Sequence, residues 1–396
     1  MNIDPITAFY DQHPYPPPVA DLTGLAQRWA DGQLRRIEHH RKWPAKPALD
    51  GTAILVAGCG TAQAAKYAVR YPASRVVGID VSQTGINHTR ALAQKHSLDN
   101  LDLHVLPIAQ IAEIGRSFDH VVCTGVLHHL ADPDRGLKAL RDVLAPDGVI
   151  DLMVYATYGR TGVYMIQEYC RRLGLGTAPT DINELVATLR EIPLEHPLSH
   201  LLRGTPDFRH PNALADALLN PRDRSYTAPE VFELLSDAGL QFRRWVRQAP
   251  YLPTCGSVAS TPHGTRIAAL PVEAQYAAVE LFRGTMTRHS LIASRDDEPA
   301  ASAHPTFLPS ECGHYVPIRP STVIVVEERL PEGAAAALLN KAHAFTDLVL
   351  FVNEAERVVF EAIDGRQTIE DIGIDHVEFF RRLYEHDLVV IDASRS

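Results

Sequence analysis

The sequence predicts an α/β fold built on a doubly wound, mostly parallel sheet, and three observations support it. Between Ala53 and Tyr155, apolar runs of strand length alternate with segments of helical periodicity, which is the pattern of βαβ units. Gly58 and Gly60 follow the first apolar run, where a tight turn into a helix favours glycine. Asp80 ends the second run about 20 positions further on, at the spacing typical of a carboxylate that binds a ribose. The carboxyl ends of these strands are therefore the predicted ligand site.

The elements of this segment follow from hydrophobic periodicity and from helix start signals. The last predicted helix begins at Asp132-Pro133 and carries one apolar stripe. The strands are predicted at about 53–57, 75–80, 101–106, 118–124 and 149–155, and the helices at about 62–71, 82–95 and 132–144.

The first turn indicates a site for a single nucleoside rather than for a dinucleotide. Residues 56–61 read VAGCGT, and Gln63 stands where a dinucleotide-binding loop carries its third glycine. A Gly-x-Gly alone also serves ordinary turns, so the interpretation depends on the strand before it and the helix after it.

This turn and two later segments resemble the class I S-adenosylmethionine (AdoMet)-dependent methyltransferases. Residues 118–130 (FDHVVCTGVLHHL) are similar to the fourth strand and following loop of that family, and residues 144–148 (LAPDG) to its turn into the fifth strand. The resemblance covers about residues 50–155. It implies a Rossmann-like domain, AdoMet as the cofactor and S-adenosylhomocysteine (AdoHcy) as the product.

The resemblance also implies a set of cofactor-binding residues. Family members often place an acidic residue after the third strand to bind adenine, whereas this chain has Leu106-Pro107-Ile108, so backbone groups of Pro107 or Ile108 are expected to replace it. In many members an N-terminal segment closes over the cofactor, which is one role for Tyr10, His13 and Tyr15; packing onto the domain is the other. The expected cofactor-binding residues are Ala57, Gly58, Cys59, Gly60, Thr61, Gln63, Asp80, Val81, Pro107, Ile108, Thr124, Gly125, Tyr10 and Tyr15.

His128 and His129 are the candidate catalytic residues, because they follow the strand end nearest the expected methyl group. An imidazole titrates near neutral pH and so suits general-base catalysis. Consecutive residues leaving a strand point in different directions, so at most one of the two is expected to face the cleft. His128 is the favoured base and His129 the weaker candidate; a structural role for both is the alternative.

Composition disfavours several other functions. The formal net charge of −10 and the pI near 6.0 disfavour sequence-independent binding to nucleic acid. The five cysteines lack the paired spacing of a metal site or a disulfide framework, so we expect free thiols, a reducing compartment and no metal. No signal peptide and no run of 18 apolar residues is found. The protein is predicted to be cytoplasmic, with no membrane partner.

The chain outside the central segment is divided by composition. Residues 1–49 are predicted to form a proline- and aromatic-rich arm with an extended backbone. Residues 50–293 are predicted to form the methyltransferase domain, with a helical insertion at about 156–235 that contains helices at 162–173 and 181–191. A helix at 229–238 and a strand at 240–247 follow. Within the insertion, the polar run 220–227 is expected to be an exposed turn with a helix cap at Thr227 rather than a pocket wall.

The C-terminal part is predicted to be a separate small module. Residues 294–306 have linker composition, and residues 307–396 read as mixed helix and strand, with a winged-helix fold as one option. Within this module the predicted elements are strands at 322–326 and 388–391 and helices at 333–344 and 377–386.

The leading functional hypothesis is methyl transfer from AdoMet to a small metabolite. A protein or peptide methyltransferase that recruits its substrate through the C-terminal module is the second hypothesis. An NAD-dependent oxidoreductase and a non-catalytic AdoMet-binding protein are further alternatives on the same fold.

Overall fold

The computed structural model describes residues 4–47, 51–204, 210–297 and 304–394. The strands are β1 (Ala53–Ala57), β2 (Arg75–Asp80), β3 (Leu101–Val105), β4 (Phe118–Thr124), β5 (Leu144–Tyr155), β6 (Leu240–Trp245), β7 (Arg288–Arg295), β8 (Val316–Ile318), β9 (Val323–Val326), β10 (Ala336–Asn340), β11 (Val349–Val352) and β12 (Val390–Asp392). The helices are α1 (Pro5–Gln12), α2 (Thr23–Trp29), α3 (Gly32–Lys42), α4 (Gln63–Arg70), α5 (Gln83–Lys95), α6 (Pro133–Asp142), α7 (Thr161–Leu173), α8 (Pro179–Arg190), α9 (Leu198–Gly204), α10 (Pro211–Leu219), α11 (Ala228–Asp237), α12 (Gly264–Ala268), α13 (Val272–Arg283), α14 (Glu354–Ala362), α15 (Ile369–Gly373) and α16 (Val377–Glu385).

The central element is a seven-stranded sheet with the order β3-β2-β1-β4-β5-β7-β6. Strands β1 to β5 pair in parallel, and β1 lies between β2 and β4. Residues 54–57 of β1 are almost completely buried, as a strand covered on both faces requires. The predicted doubly wound, mostly parallel sheet is confirmed, and the ends of β1, β2 and β4 meet at one edge.

The helices beside this sheet begin at capped positions. Ser82 accepts a hydrogen bond from the Gly85 backbone N–H at the start of α5, and Asp132 does the same for Arg135 at the start of α6. The helices are within two residues of the predicted boundaries.

The chain divides into two compact units. The first contains Met1–Ala30, Gly51–Leu240 and Gly284–His289, and the second contains Asp31–Asp50, Gln241–Arg283 and Ser290–Ser396. Residues 241–283 thus group with the C-terminal part, so the units do not divide at the predicted 294–306 linker. Residues 298–303 of that linker lie outside the described residues.

The extended backbone predicted for residues 1–49 is wrong, because α1, α2 and α3 lie there. Pro5 occupies the first turn of α1, where its missing N–H costs nothing, and Asp4 caps the helix by accepting from the Ile6 N–H. The prolines at 14 and 16–18 fall outside the helices.

The predicted helical insertion is present in the first unit as helices α7 to α10. Their apolar faces share one core, which includes Val163, Leu185 and Leu214. Thr227 caps α11 through a reciprocal capping box with Glu230, so the predicted cap is confirmed.

The C-terminal part of the second unit contains a three-stranded antiparallel sheet, β11-β10-β9, and a two-stranded sheet, β12-β8. The helix predicted at 333–344 is wrong, since β10 occupies that segment. Its alanines and leucines pair with strands on both sides, and Ala336 and Leu338 are fully buried; tertiary pairing overrides the helix preference of alanine. The winged-helix option depended on that helix.

Among the described residues, each helix is either too short or too polar to cross a bilayer.

We predict that Asp387→Asn destabilises the second unit by about 3 kcal/mol. Asp387 is buried, accepts hydrogen bonds from the backbone N–H groups of Gln248 and Ala249 at 2.8 and 3.0 Å, and lies 3.5 Å from Arg244 Nη2. Loss of its charge leaves a buried guanidinium without its ion-pair partner. Urea denaturation measures the change, with exposed Glu332→Ala as a control expected to stay within about 0.5 kcal/mol of wild type. Equal stability of the two variants would contradict the prediction.

Candidate functional site

The turn after β1 has a backbone that only glycine accommodates. Gly58 and Gly60 have φ angles of +71° and +52°. A Cβ at Gly58 would lie 2.4 Å from a methyl carbon of Val126, and one at Gly60 would lie 2.7 Å from the carbonyl oxygen of Tyr15. The turn therefore lies close against two neighbouring segments and presents backbone rather than side chains to a ligand.

Asp80 ties this turn to the end of β2. Its Oδ2 accepts from the Gly60 N–H at 2.7 Å, and its Oδ1 accepts from the Ser82 N–H at 2.8 Å. Burial raises the pKa of the Asp80 carboxyl. Asp80 therefore shapes the loop as well as lining the cavity. Each oxygen retains a lone pair for a ligand hydroxyl.

A cavity of about 780 Å³ lies at the carboxyl ends of the strands, and most of the predicted residues line it. Gln63 points its amide across the floor and donates to Thr124 Oγ1 at 2.6 Å. Ala57, Cys59 and His128 are buried and do not line the cavity. The predicted residues on its wall are Gly58, Gly60, Thr61, Gln63, Asp80, Val81, Pro107, Ile108, Thr124, Gly125, His129, Tyr10 and Tyr15.

The N-terminal segment is held against this cavity by polar contacts. Asp11 Oδ1 accepts from Ser82 Oγ at 2.7 Å and from the Thr84 N–H at 3.1 Å. Further along, Thr61 Oγ1 donates to the Pro16 carbonyl at 2.7 Å. His13, the third candidate on this segment, is buried and lies away from the cavity wall.

The two adjacent histidines have different environments in the short 3-10 turn after β4. His129 lines the cavity, and its Nδ1 lies 2.6 Å from the carbonyl oxygen of Arg222. A carbonyl only accepts, so Nδ1 carries the hydrogen, and in the neutral ring Nε2 holds the basic lone pair.

His128 is fully buried, and neither of its ring nitrogens has a hydrogen-bond partner among the described residues. Burial first, and then the neighbouring His129 and Arg160, lower the pKa of His128 well below its usual value. Its ring packs on Tyr155 at a centroid distance of 3.9 Å. The structure thus brings His129, and not the favoured His128, to the cavity.

Sequence reasoning missed Arg160, Tyr155 and Asp216, which lie beyond His129 together with the predicted Tyr10. Arg160 stacks on the Tyr155 ring with its guanidinium carbon 3.5 Å from the centroid, and Asp216 accepts from the Tyr10 hydroxyl at 2.8 Å. All four of these residues line the cavity. The available signal was a single acid in the otherwise apolar segment ALADALL, since a charge inside an apolar helix face is seldom without purpose.

The polar run 220–227 is a pocket wall as well as a turn. Arg222 lines the cavity, and Asn220 Nδ2 donates to the Tyr10 hydroxyl at 3.1 Å. The sequence analysis favoured an exposed turn over a pocket wall, whereas part of this run, at Arg222, does line the cavity.

His128, His129 and Asp223 form a group that could hold a metal ion, since one ligand atom from each lies within 4.8 Å of the others. Asp223 Oδ2 already accepts from Arg160 at 3.3 Å and from Gln167 at 2.9 Å. The nearby guanidinium charge opposes a second cation there.

Comparison with known proteins identifies the central segment. Residues 55–150 match the sequence profile of a family described as a methyltransferase domain. The chain is 28% identical over 305 residues to the protein syc1184_c of Synechococcus sp., covering 74% of this chain and 72% of that protein. It is 27% identical over 158 residues to a protein of Acinetobacter baylyi named ubiquinone biosynthesis O-methyltransferase, covering 37% of this chain and 61% of that relative.

Among solved structures, PKMT2 from Rickettsia typhi in complex with AdoHcy shares the fold, with a TM-score of 0.64 at 14% identity, over 96% of this chain and 77% of that one. The matched profile extends from β1 into β5, and these strands pair in parallel. The glycine turn after β1 and Asp80 at the end of β2 line the cavity at one edge of this sheet. Residues 55–150 therefore form a methyltransferase domain, on the fold that this chain shares with the AdoHcy complex of PKMT2.

Proposed function

We propose that this enzyme transfers the methyl group of AdoMet to a small molecule bound in the same cavity. The observation that carries the proposal is that the two ends of the cavity differ in chemistry. One end is the glycine turn with Asp80, and the other is a polar cluster of the half-buried Tyr10 with the buried His129 and Asp216. A volume of about 780 Å³ lies within the range of about 300–1,000 Å³ that small-ligand sites occupy.

The first end suits the cofactor. Glycines at 58 and 60 let the turn lie close against Val126 and Tyr15 and present backbone to a ligand, and Asp80 offers lone pairs to ribose hydroxyls. The backbone of Pro107 and Ile108 is proposed for the adenine, with Thr61, Gln63, Val81, Thr124, Gly125 and Tyr15 completing the wall. Ala57 and Cys59 are buried behind the turn and support its backbone. AdoMet supplies an electrophilic methyl group on a sulfonium.

His129 is the proposed general base of the second end. The Arg222 carbonyl fixes its tautomer, so that Nε2 is free to take a proton from an acceptor O–H or N–H. His128 packs behind it and supports the turn. A hydroxyl acceptor is favoured by the name of the Acinetobacter baylyi relative.

The proposal is tested by screening the purified enzyme for AdoHcy formation with two sets of acceptors. The first set is hydroxylated aromatics, including catechols, and the second is a peptide mixture. Turnover of the first set alone is expected, because the segment 4–18 and helix α10 supply wall residues over the cavity. Turnover of peptides alone would overturn the small-molecule acceptor and favour the protein methyltransferase hypothesis.

A cytoplasmic location is part of the proposal. It is supported by the five cysteines, which are all buried free thiols, as is usual in a reducing compartment.

We predict that Gly60→Val reduces AdoMet affinity by more than about 100-fold. A branched side chain strains a residue at positive φ and enters the space between the turn and Tyr15. Isothermal titration calorimetry measures the affinity. Gly24→Ala is the matched control, because a Cβ there meets nothing within 4 Å, and it should bind as wild type. Normal binding by Gly60→Val would place the cofactor elsewhere.

We predict that Asp80→Asn lowers both AdoMet affinity and thermal stability. The amide retains only one oxygen, so its NH₂ group must face one of the two backbone donors, at Gly60 or Ser82. The expected loss of affinity is about 10- to 100-fold, the range of a charge-assisted hydrogen bond. Calorimetry and the melting temperature are measured together, and unchanged affinity in a folded variant would remove Asp80 from the cofactor site.

We predict that His129→Gln slows methyl transfer by about 10²- to 10⁴-fold, because general-base catalysis acts in the transition state. Single-turnover rates with an acceptor from the screen measure the effect, and AdoMet affinity should change little. His128→Gln is the matched control, which should lower the melting temperature with a smaller change in rate. The reverse pattern, a slow His128→Gln and a normal His129→Gln, would restore the base suggested by the sequence.

A further inference from the structure

Asp216 is a buried carboxylate on the cavity wall, and no lysine or arginine among the described residues forms an ion pair with it. It is 2% exposed, and its Oδ1 accepts from the Tyr10 hydroxyl at 2.8 Å and from Asn220 Nδ2 at 3.3 Å. Both donors are neutral. Among the residues that the structure describes, Asp216 forms no ion pair, and both of its hydrogen bonds end on Oδ1, which leaves Oδ2 for a ligand in the cavity.

The other acids of the cavity are satisfied differently. Asp80 uses both oxygens on backbone N–H groups, and Asp4 lies 3.6 Å from Arg222 Nη1. Asp132 caps α6 at an exposed position. Asp216 is therefore the buried acid of this wall whose charge is not matched within the described part of the chain.

Among the described groups that act on Asp216, His129 is a base whose positive charge lowers the pKa of the Asp216 carboxyl, but His129 is neutral in its proposed role as general base and then supplies no charge. The other groups facing Asp216 do not supply a positive charge either. Tyr10 and Tyr155 are neutral, since burial raises the pKa of each hydroxyl well above its usual value. Asp223 is itself an acid and pairs with Arg160 at 3.3 Å. Burial, more than any neighbour, raises the pKa of the Asp216 carboxyl. An isolated buried carboxylate costs several kcal/mol, which a bound cation would offset.

Tyr10 connects Asp216 to the part of the cavity next to the end of β4. Its hydroxyl binds Asp216, and its ring meets the His129 ring edge-on at a centroid distance of 6.1 Å. His129 lies just beyond Thr124 and Gly125. Asp216 therefore lies with Tyr10 and His129 in the part of the cavity next to the end of β4, where the methyl group is expected.

We propose that Asp216 is the counter-charge of the AdoMet sulfonium and makes the site prefer AdoMet to AdoHcy. The inference rests on the proposed function, because it requires AdoMet in this cavity. AdoMet and AdoHcy share the amino, carboxyl and nucleoside groups and differ in the sulfonium charge and its methyl group. A carboxylate that faces the sulfonium therefore binds AdoMet more tightly than AdoHcy, so the product dissociates more readily than the methyl donor.

The test compares wild type, Asp216→Asn and Tyr10→Phe by calorimetry with AdoMet, AdoHcy and an AdoMet analogue that carries a protonated amine in place of the sulfonium. Asp216→Asn should weaken AdoMet and the cationic analogue about tenfold and AdoHcy by less than about threefold. Tyr10→Phe removes one hydrogen bond and keeps the charge, so the ratio of AdoMet to AdoHcy affinity should change by less than about threefold.

The melting temperature of the ligand-free proteins is the second measurement. The folded-state pKa of Asp216 is raised, so its charged form opposes folding above that pKa, and Asp216→Asn should be at least as stable as wild type at pH 7.5. A lower melting temperature would mean a structural carboxylate and would overturn the proposal.

Two affinity results would also overturn it. Equal weakening of AdoMet and AdoHcy would assign Asp216 to their shared ammonium group, and unchanged affinity for both would remove it from the cofactor. Failure of wild type to bind AdoMet is a separate outcome, because it refutes the proposed function before Asp216 is tested.

Discussion

The close backbone contact at Gly60 is the constraint on which the cofactor end depends. Its N–H donates to Asp80, its space on the other side is taken by the Tyr15 carbonyl, and its own carbonyl accepts from Thr89 Oγ1 at 3.0 Å. A single residue thus links the end of β2, the N-terminal segment and helix α5. Any side chain there would separate all three, so the loop is built from main-chain contacts and glycine is a structural requirement.

Much of the proposed cofactor end of the cavity could be predicted from sequence, because the signals for it are local. Apolar runs, glycines at a turn and an acid at a fixed spacing lie within about 30 residues of one another, and strands β1, β2 and β4 match their predicted bounds. Two predictions failed, the first for a local reason and the second because non-local pairing overrides local preference. The prolines of the arm coexist with helix α1, since Pro5 lies in a position that tolerates it, and an alanine-rich segment became strand β10 because it pairs on both sides.

The choice between His128 and His129 could not be made from sequence, since the two residues are adjacent and chemically identical. What separates them is the Arg222 carbonyl, a group 93 positions away that fixes the His129 ring at the cavity. Desolvation then makes His128 a poor proton acceptor, since a buried imidazole without partners resists charging. The functional difference comes from tertiary structure alone.

The proposed acceptor end lies mostly outside the segment that the family profile matches. Tyr10 belongs to the N-terminal arm, and Asp216, Asn220 and Arg222 belong to the insertion, whereas the matched profile covers residues 55–150. Within that profile only the turn with His129 reaches the second end. The family match therefore indicates the methyl donor, which enzymes with many different acceptors have in common. The acceptor is then determined by the variable segments. Transplanting the arm and insertion together should accordingly change the acceptor and leave the cofactor unchanged, because Tyr10 and Asp216 form their contact only when both segments are present.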